Sequence, residues 1–513
     1  MERDHRNGRK MTNKTKPMNT FSTLSSTLSN PLIVALVLLA SGCASQIKQL
    51  PKEAQITVPE NWQIQITERN NSKKNKDQAT SEEPKKVENG WLQSFSDSEL
   101  EKYVQVALAN NPDLLGSAAQ LKSAIEQVTI NGSGLWPSVQ ADLSKNRTDI
   151  DENEVTTEIR TVSASLDVSW EADVWGKLTQ RKRAAAYSAK AQGELFKAAE
   201  LSLVANVSRA WYNLVTNKLQ LDLAQQRLDS FERTAGLIDE NYRRGLRSAL
   251  DVYLSRTDVQ VQISALADAR FNFVQSLRTF KTLLGEYPDT ALEFEADLPV
   301  MTDLVPAGLP AELLGRRPDI RASQMLYKSQ IANAKAANRD RYPSISFRGS
   351  IGDSRDEFDK LFENDNMVMT LISGIAQPMF QAGALRSREQ QAVYQAESSY
   401  ASMVKTTLNA FQEVEDSLSR ETTLREQHEA IKKAVKFAQG GLDLALDRYQ
   451  SGIENYTTVL ESQRRLFGSM QNEINLRNAL IQNRVGIHLA LGGDFTTLPD
   501  RDPTNNLPSI AKK

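Results

Sequence analysis

Few side chains in this chain of 513 residues are spaced for covalent or acid–base chemistry. Cys43 is the single cysteine, so no disulfide can form within the chain. His5, His428 and His488 lie far apart, and neither a zinc spacing nor a histidine-based triad can be read from them. The Gly-x-x-x-x-Gly-Lys-Ser/Thr phosphate loop is absent, and the ten methionines form no metal relay. Carboxylate pairs are the one acid–base chemistry left open. The expectation is therefore no enzyme, no catalytic residue, no metal and no cofactor.

Charge and hydropathy narrow the class further. Lys plus Arg total 62 against 64 Asp plus Glu, a net charge of -2. A chain that coats nucleic acid needs a basic surplus, so no nucleic acid partner is expected. Hydrophobic residues make up 40%, and no apolar run reaches the roughly 20 residues of a transmembrane helix. A transmembrane barrel escapes that test, because its strands alternate apolar and polar residues over about ten positions.

The one short apolar run, Pro31 to Ala40, follows a basic stretch with Arg6, Arg9, Lys10, Lys14 and Lys16. Basic start, short apolar centre and small residues read as a secretory signal over residues 1–42. Leu39-Ala40-Ser41-Gly42-Cys43 resembles a bacterial lipobox. That resemblance implies a diacylglycerol and an N-acyl chain on Cys43, which would anchor the mature chain without spanning the bilayer.

A weak duplication organises the remainder. Asn111-Pro112-Asp113-Leu114 recurs as Arg317-Pro318-Asp319-Ile320, and Trp136-Pro137-Ser138-Val139 as Tyr342-Pro343-Ser344-Ile345, at an offset of 206. After a one-residue slip, Tyr187 matches Tyr394, Tyr242 with Gly245 matches Tyr449 with Gly452, and Leu284-Gly285 matches Leu491-Gly492. Two long copies of one unit fit this better than a solenoid array. The spacing divides the chain into residues 43–100, an anchor and early segment with a polar insert at 68–89; a first repeat, 101–285; a connection, 286–310; a second repeat, 311–492; and a tail, 493–513.

Each repeat reads as helix, two strands and two very long helices. Leu100 to Thr129 has helical periodicity. Val139, Ala141 and Leu143 alternate with polar residues, as do Val162, Ala164, Leu166, Val168 and Trp170. Ile345, Phe347, Gly349 and Ile351 repeat the pattern, and Met367, Met369 and Leu371 do so less cleanly. Period two with one apolar face predicts half-exposed strands. In lipid, four strands would leave open edges, so copies from other chains must complete the sheet; three copies would give twelve strands. An ordinary soluble sheet stays open as the alternative.

The helical pattern runs from about Ala184 to Asn241 and from Leu246 to Leu284, then from Arg388 to Tyr449 and from Tyr456 to Leu489. Val204, Val207, Trp211 and Leu214 follow coiled-coil spacing. Gly245 and Gly452 interrupt the two hairpins and read as tips.

With these features in place, the sequence resembles the TolC-like outer membrane factor family, in particular its lipoprotein branch of multidrug efflux outlets. Leu313-Leu314-Gly315-Arg316-Arg317-Pro318-Asp319-Ile320 carries the mid-chain signature, and Ser169 to Gly176 and Gln377 to Leu385 the strand ends. Arg448-Tyr449, Gly452 and Asn455-Tyr456 carry the second tip. The resemblance implies a mixed α/β membrane protein: a trimeric twelve-stranded outer-membrane β-barrel, four strands per protomer, continuous with a long periplasmic α-helical barrel. An equatorial belt would draw on residues 43–100, 286–310 and 493–513.

The resemblance also implies the role. A homotrimer in outer membrane lipid of a Gram-negative bacterium would serve as the exit duct of a tripartite efflux pump. It would dock a periplasmic adaptor joined to an inner-membrane transporter of the resistance-nodulation-division type. Tyr242, Gly245, Gly452 and Asn455 would be adaptor-docking tip residues. Glu454, two residues after Gly452, would form a gate ring by threefold repetition, with Asp251, Arg448 and Tyr449 as further gate candidates; like charges so placed repel. Outlets of type I protein secretion share the pattern. On residues alone a non-spanning coiled-coil scaffold lipoprotein also remains open.

Overall fold

The computed structural model describes residues 58–59, 62–63, 90–152, 155–301, 305–308, 310–362 and 367–494. The signal segment, Cys43, the insert 68–89 and the tail beyond Asp494 lie outside them. All described residues fall within the unit Gln49–Lys513.

A 3-10 turn, Trp91–Phe95, leads into α1 (Ser98–Asn110) and α2 (Pro112–Ser133). Next come β1 (Ser138–Glu152), β2 (Val155–Ala172), α3 (Lys177–Arg243) and α4 (Ala249–Leu283). The order then repeats with α5 (Pro310–Arg316), α6 (Pro318–Arg339), β3 (Ser344–Arg355), β4 (Val368–Ala376), α7 (Ala384–Gln450) and α8 (Tyr456–Ala490).

The single helix expected from Leu100 to Thr129 is two helices. Pro112 drives Asn111 out of the helical region, to φ -64 and ψ 123. The Asn111 carboxamide then restarts the chain by accepting from the Asp113 and Leu114 amides at 3.0 and 3.1 Å. Arg317 before Pro318 makes the same break between α5 and α6, at φ -74 and ψ 120.

The long helices α3 and α7 have 67 residues each, about 100 Å at 1.5 Å per residue. They begin earlier than apolar periodicity alone suggests, because their first turns are set by other means. Gly176 and Gly383 enter with positive φ, 73° and 85°. The Asp173 carboxylate accepts from the Leu178 and Thr179 amides at 2.8 Å each.

The four C-terminal helix ends of the two hairpins close alike. Gly245 (φ 75) and Gly452 (φ 76) turn the tips, and Leu246 and Ile453 donate back to Asn241 and Arg448 at 2.9 Å. Gly285 (φ 76) and Gly492 (φ 62) end the return helices, with Glu286 and Gly493 donating to Lys281 and His488 at 3.0 Å. These are left-handed caps that satisfy otherwise free carbonyls.

The four strands form one antiparallel sheet in the order β1-β2-β3-β4. Its register carries a single apolar face across all four. Val139 pairs with Val168, Leu166 with Ile351, Trp170 with Phe347, and Ile345 with Ile375. The opposite face pairs Gln140 with Asp167, Asp167 with Ser350, and Ser144 with Ser163. β4 departs from this: Val368 and Ile372 lie on the polar face, and the whole strand is exposed. β1 and β2 run well beyond the alternating segment, through pairs such as Arg147 with Arg160, because backbone bonding does not depend on side-chain polarity. Among the described residues no strand covers the outer edge of β1 or β4.

The largest apolar core joins the early segment to the helices. Trp91, Phe95, Leu100, Tyr212, Phe280 and Leu298 are each at most 3% exposed within it. Trp62 sits in a second cluster and donates to the Ala307 carbonyl at 3.1 Å. Residues of the early segment and of the 286–310 connection are thus held against the long helices. Each fully buried large side chain contributes roughly 1.5–3 kcal/mol.

Candidate functional site at the hairpin tips

The tips are built from the turn between α3 and α4 and that between α7 and α8. Ser248 caps α4 by accepting from the Asp251 amide at 3.3 Å, and Asn455 caps α8 by accepting from the Thr458 amide at 3.2 Å. Behind the turns one apolar cluster unites both hairpins: Ile238 and Val252 from the first, Leu442, Tyr449, Tyr456 and Val459 from the second.

Polar ties cross the same seam. The Arg247 guanidinium lies 4.2 Å from the centre of the Tyr449 ring, and its Nη2 donates to the Tyr449 carbonyl at 2.6 Å. A cation held over an aromatic face in this way is worth about 1–2 kcal/mol when partly desolvated. The Tyr456 hydroxyl donates to Asp258 Oδ2 at 3.0 Å, and Arg464 reaches the other oxygen at 3.1 Å. Gln463 donates to Ser230 and Thr234, at 3.1 and 3.0 Å from their hydroxyl oxygens. Burial raises the hydroxyl pKa of both Tyr449 and Tyr456, and the Asp258 carboxylate adds to the shift at Tyr456. Both hydroxyls stay neutral.

The structure groups the sequence candidates unevenly. Arg448, Glu454 and Asn455 share the second tip. Glu454 accepts from the Thr458 hydroxyl at 3.2 Å and lies 3.9 Å from Arg448. Tyr449 is fully buried and faces the first hairpin, while its counterpart Tyr242 is 44% exposed. Tyr449 meets the first hairpin through its ring and its carbonyl; among the described residues its hydroxyl has no hydrogen-bond partner, because the ring fills the apolar seam. Asp251 is half-buried on the first turn of α4. Gly245 and Gly452 have open space where a Cβ would point. Cys43 lies outside the described residues.

Sequence reasoning missed Arg247, Asp258, Arg464 and the partners of Gln463. Arg247 had a usable signal: it stands two residues after Gly245, as Glu454 stands two after Gly452. The others have partners about 200 residues away in the chain, beyond any local pattern. Among the described residues no group of His, Cys, Asp and Glu is arranged to hold a metal.

With the duplicated hairpins and the four-stranded sheet established, comparison with known proteins decides the family. Residues 103–286 and 309–493 each match the family described as Outer membrane efflux protein. The chain belongs to that family. Two copies of the match fall on the two halves of the fold. The toluene efflux pump outer membrane protein TtgC of Pseudomonas putida is 31% identical over 416 residues, covering 80% of this chain and 86% of TtgC. The pyoverdine export outer membrane protein OpmQ of Pseudomonas aeruginosa is 27% identical over 480 residues, covering 91% and 97%. Among solved structures, the Campylobacter jejuni CmeC outer membrane channel superposes with a TM-score of 0.77 at 20% identity, over 90% of this chain and 97% of that one. The protein is accordingly an outer-membrane efflux outlet and a conduit, not an enzyme.

Proposed function

We propose that three copies of this chain form a gated duct through the outer membrane, each lending four strands to one closed barrel and its long helices to a periplasmic tube. The observation that carries this reading is the sheet, with one mainly apolar face and, among the described residues, both edges unpaired. Unpaired edges are costly in hydrocarbon, and closure with further copies removes them. β4, with nine residues, has the length of a tilted membrane-crossing strand, about nine to eleven residues. The apolar face would meet lipid and the Ser- and Asp-bearing face would line water. Among the described residues no helix is long and apolar enough to cross a membrane. Acylation of Cys43 would add an anchor at the membrane surface.

The tips form the gate in this reading. Threefold repetition turns Glu454 and Asp251 into rings, and the Arg247–Tyr449 tie holds one hairpin to the other in the closed state. A periplasmic adaptor docking near Tyr242, Gly245, Gly452 and Asn455 shifts the population to an open form by binding it better. An inner-membrane transporter of the resistance-nodulation-division type supplies the energy, and small amphiphilic compounds pass by gated conduction. The relatives' names, toluene efflux and pyoverdine export, support a small-molecule cargo rather than a secreted protein.

The test is purification from outer membranes, mass measurement and planar-bilayer conductance. A conducting trimer is expected, with Glu454→Gln raising conductance and weakening cation preference. A non-conducting monomer sinks the duct and returns the scaffold reading. Unchanged conductance and selectivity in Glu454→Gln remove that residue from the gate.

A further inference from the structure

The apolar face of the sheet does not stay open along its whole length. Leu166 and Ile351 on it are 44% and 38% exposed, yet Val162 and Asp353, on the same face by register, are 2% and 6% exposed. An aspartate on that face is out of place unless its charge is satisfied locally. It is: Asp353 Oδ2 accepts from the Phe362 backbone amide at 2.9 Å and from Arg355 Nε at 3.0 Å, and its Oδ1 from the Ser354 amide at 2.8 Å. The Phe362 bond brings the segment after β3 back to the apolar side of the sheet. Phe362 holds a φ of 66°, unfavourable for a bulky side chain, and its amide is the donor in that bond. A short turn within the segment, Leu361 donating to the Phe358 carbonyl at 3.2 Å, leaves Phe358 and Phe362 66% and 59% exposed. Lys360 is paired with Asp356 and Glu357, at 3.0 and 3.3 Å, so the segment offers no free cation to lipid phosphates; with Asp359 it is net acidic, and Phe358 and Phe362 are its apolar surface.

We infer that the Asp353-pinned segment 356–362 is a membrane-surface clasp that folds over the lipid-facing side of the sheet and sets Phe358 and Phe362 at the headgroup–acyl boundary of the outer leaflet. The inference rests on the duct reading above, because the clasp is continuous with the face that reading assigns to lipid. Its occupant is lipid at the interfacial depth where aromatic side chains concentrate in membrane barrels. The polar face, the side that would line water, lies opposite, so the segment stays clear of the passage.

Spin labels at introduced cysteines on the full chain in bilayers test this, with the parent chain treated with the same label in parallel as the background from Cys43. Labels at Phe358→Cys, Glu357→Cys and Leu371→Cys are compared for collision with oxygen, which partitions into lipid, and with an aqueous nickel chelate. Leu371 lies mid-strand on the apolar face of β4 and is 75% exposed in the single chain. Position 358 is expected to meet the chelate several-fold less often than 357 while remaining open to oxygen, and Asp353→Asn is expected to return it to the chelate level of 357. Equal chelate access at 358 and 357, with 371 protected, overturns the clasp alone. Protection at 358 from both reagents places a second copy of the chain there and also overturns it. Chelate access at 371 overturns the duct reading, and the clasp falls with it.

Discussion

The joint that ends the first half and the joint that ends the second share a backbone but not a chemistry. At the first, neutral Asn111 donates its carboxamide to the Leu283 carbonyl at 2.9 Å, beside Gly285. At the second, Arg317 donates to the Ala490 carbonyl at 3.1 Å, beside Gly492, and adds Asp319 at 2.7 Å and Glu413 at 2.6 Å. The last turns differ too. Lys281 is charged and held by Glu286 at 2.8 Å, whereas its counterpart His488 lies stacked on Trp91, with both ring nitrogens unpartnered among the described residues. The tips repeat the contrast, with Tyr242 exposed and Tyr449 buried, and Arg247 matched by Glu454. Duplication preserved the caps, which are backbone geometry. The side chains around them were free to settle different charge problems in each half.

The strongest way to break this comparison is to remove the charge at the second joint. Arg317 is 8% exposed, and its loss strips two carboxylates of their partner. Arg317→Met is expected to cost about 2–3 kcal/mol in denaturant unfolding of the purified protein, since the arginine is buried but its carboxylate partners keep part of their hydration. Asn111→Ala, which loses a cap and one bond, should cost about 1–2 kcal/mol. Equal costs would mean that the two joints do the same work.

The last-turn pair differs in its response to acid. Burial, helped by Arg484, pushes His488 down to about 3, below its unfolded value of about 6.5. Between those values the unfolded chain binds the extra proton. Stability from this group is therefore complete above about pH 6.5 and is lost as pH falls toward 3, on the order of 3 kcal/mol by pH 4. His488→Phe should flatten the acid limb of a midpoint-against-pH curve. Lys281, held above its usual value by Glu286, stays charged throughout that window, so Lys281→Met should leave the limb in place.

Glycines at joint and tip should separate next. A Cβ on Gly285 would sit 2.6 Å from the Asn110 carbonyl oxygen, while one on Gly245 meets nothing within 4 Å. Gly285→Ala combines left-handed strain with overpacking, at about 2–3 kcal/mol. Gly245→Ala carries strain alone, about 1–2 kcal/mol. A melt in which Gly245→Ala falls as far as Gly285→Ala would deny that the joint is the tighter packing.

The smallest contrast lies within the tips. Arg247→Met gives up the contact with Tyr449, about 1–2 kcal/mol, and should raise bilayer conductance by loosening one hairpin from the other. Arg448 is 51% exposed and 3.9 Å from Glu454, so Arg448→Met should cost under about 1 kcal/mol and leave conductance near the parent level.

Much of this was legible in the residues because it rests on local rules. Apolar spacing marked the four long helices, though the starts of two of them, at Lys177 and Ala384, lie before the periodic stretch. Strand alternation marked the apolar face of β1 to β3. It failed at β4, where Val368 and Ile372 put apolar residues on both faces. Gly245 and Gly452 marked the tips, while the Asn111-Pro112 break was passed over in favour of unbroken periodicity. Glu454 and Tyr449 were singled out, but the side chains that meet Tyr449, Tyr456 and Gln463 were not.

The sequence by itself determined the duplicated order of elements, the caps and turns, and which strand residues share a face, since each follows from interactions within a few residues. Only the tertiary structure decided which side of the seam Tyr449 fills, that Arg247 rather than Arg448 meets it, that Arg317 and Asn111 close equivalent joints, and that Asp353 draws the segment after β3 back over the sheet. Most of those pairings join residues 172 to 202 positions apart. Asp353 and Phe362 are separated by only nine, but no periodic pattern predicts a loop amide returning to a strand carboxylate. Packing of the finished elements, and not any local preference, selects them.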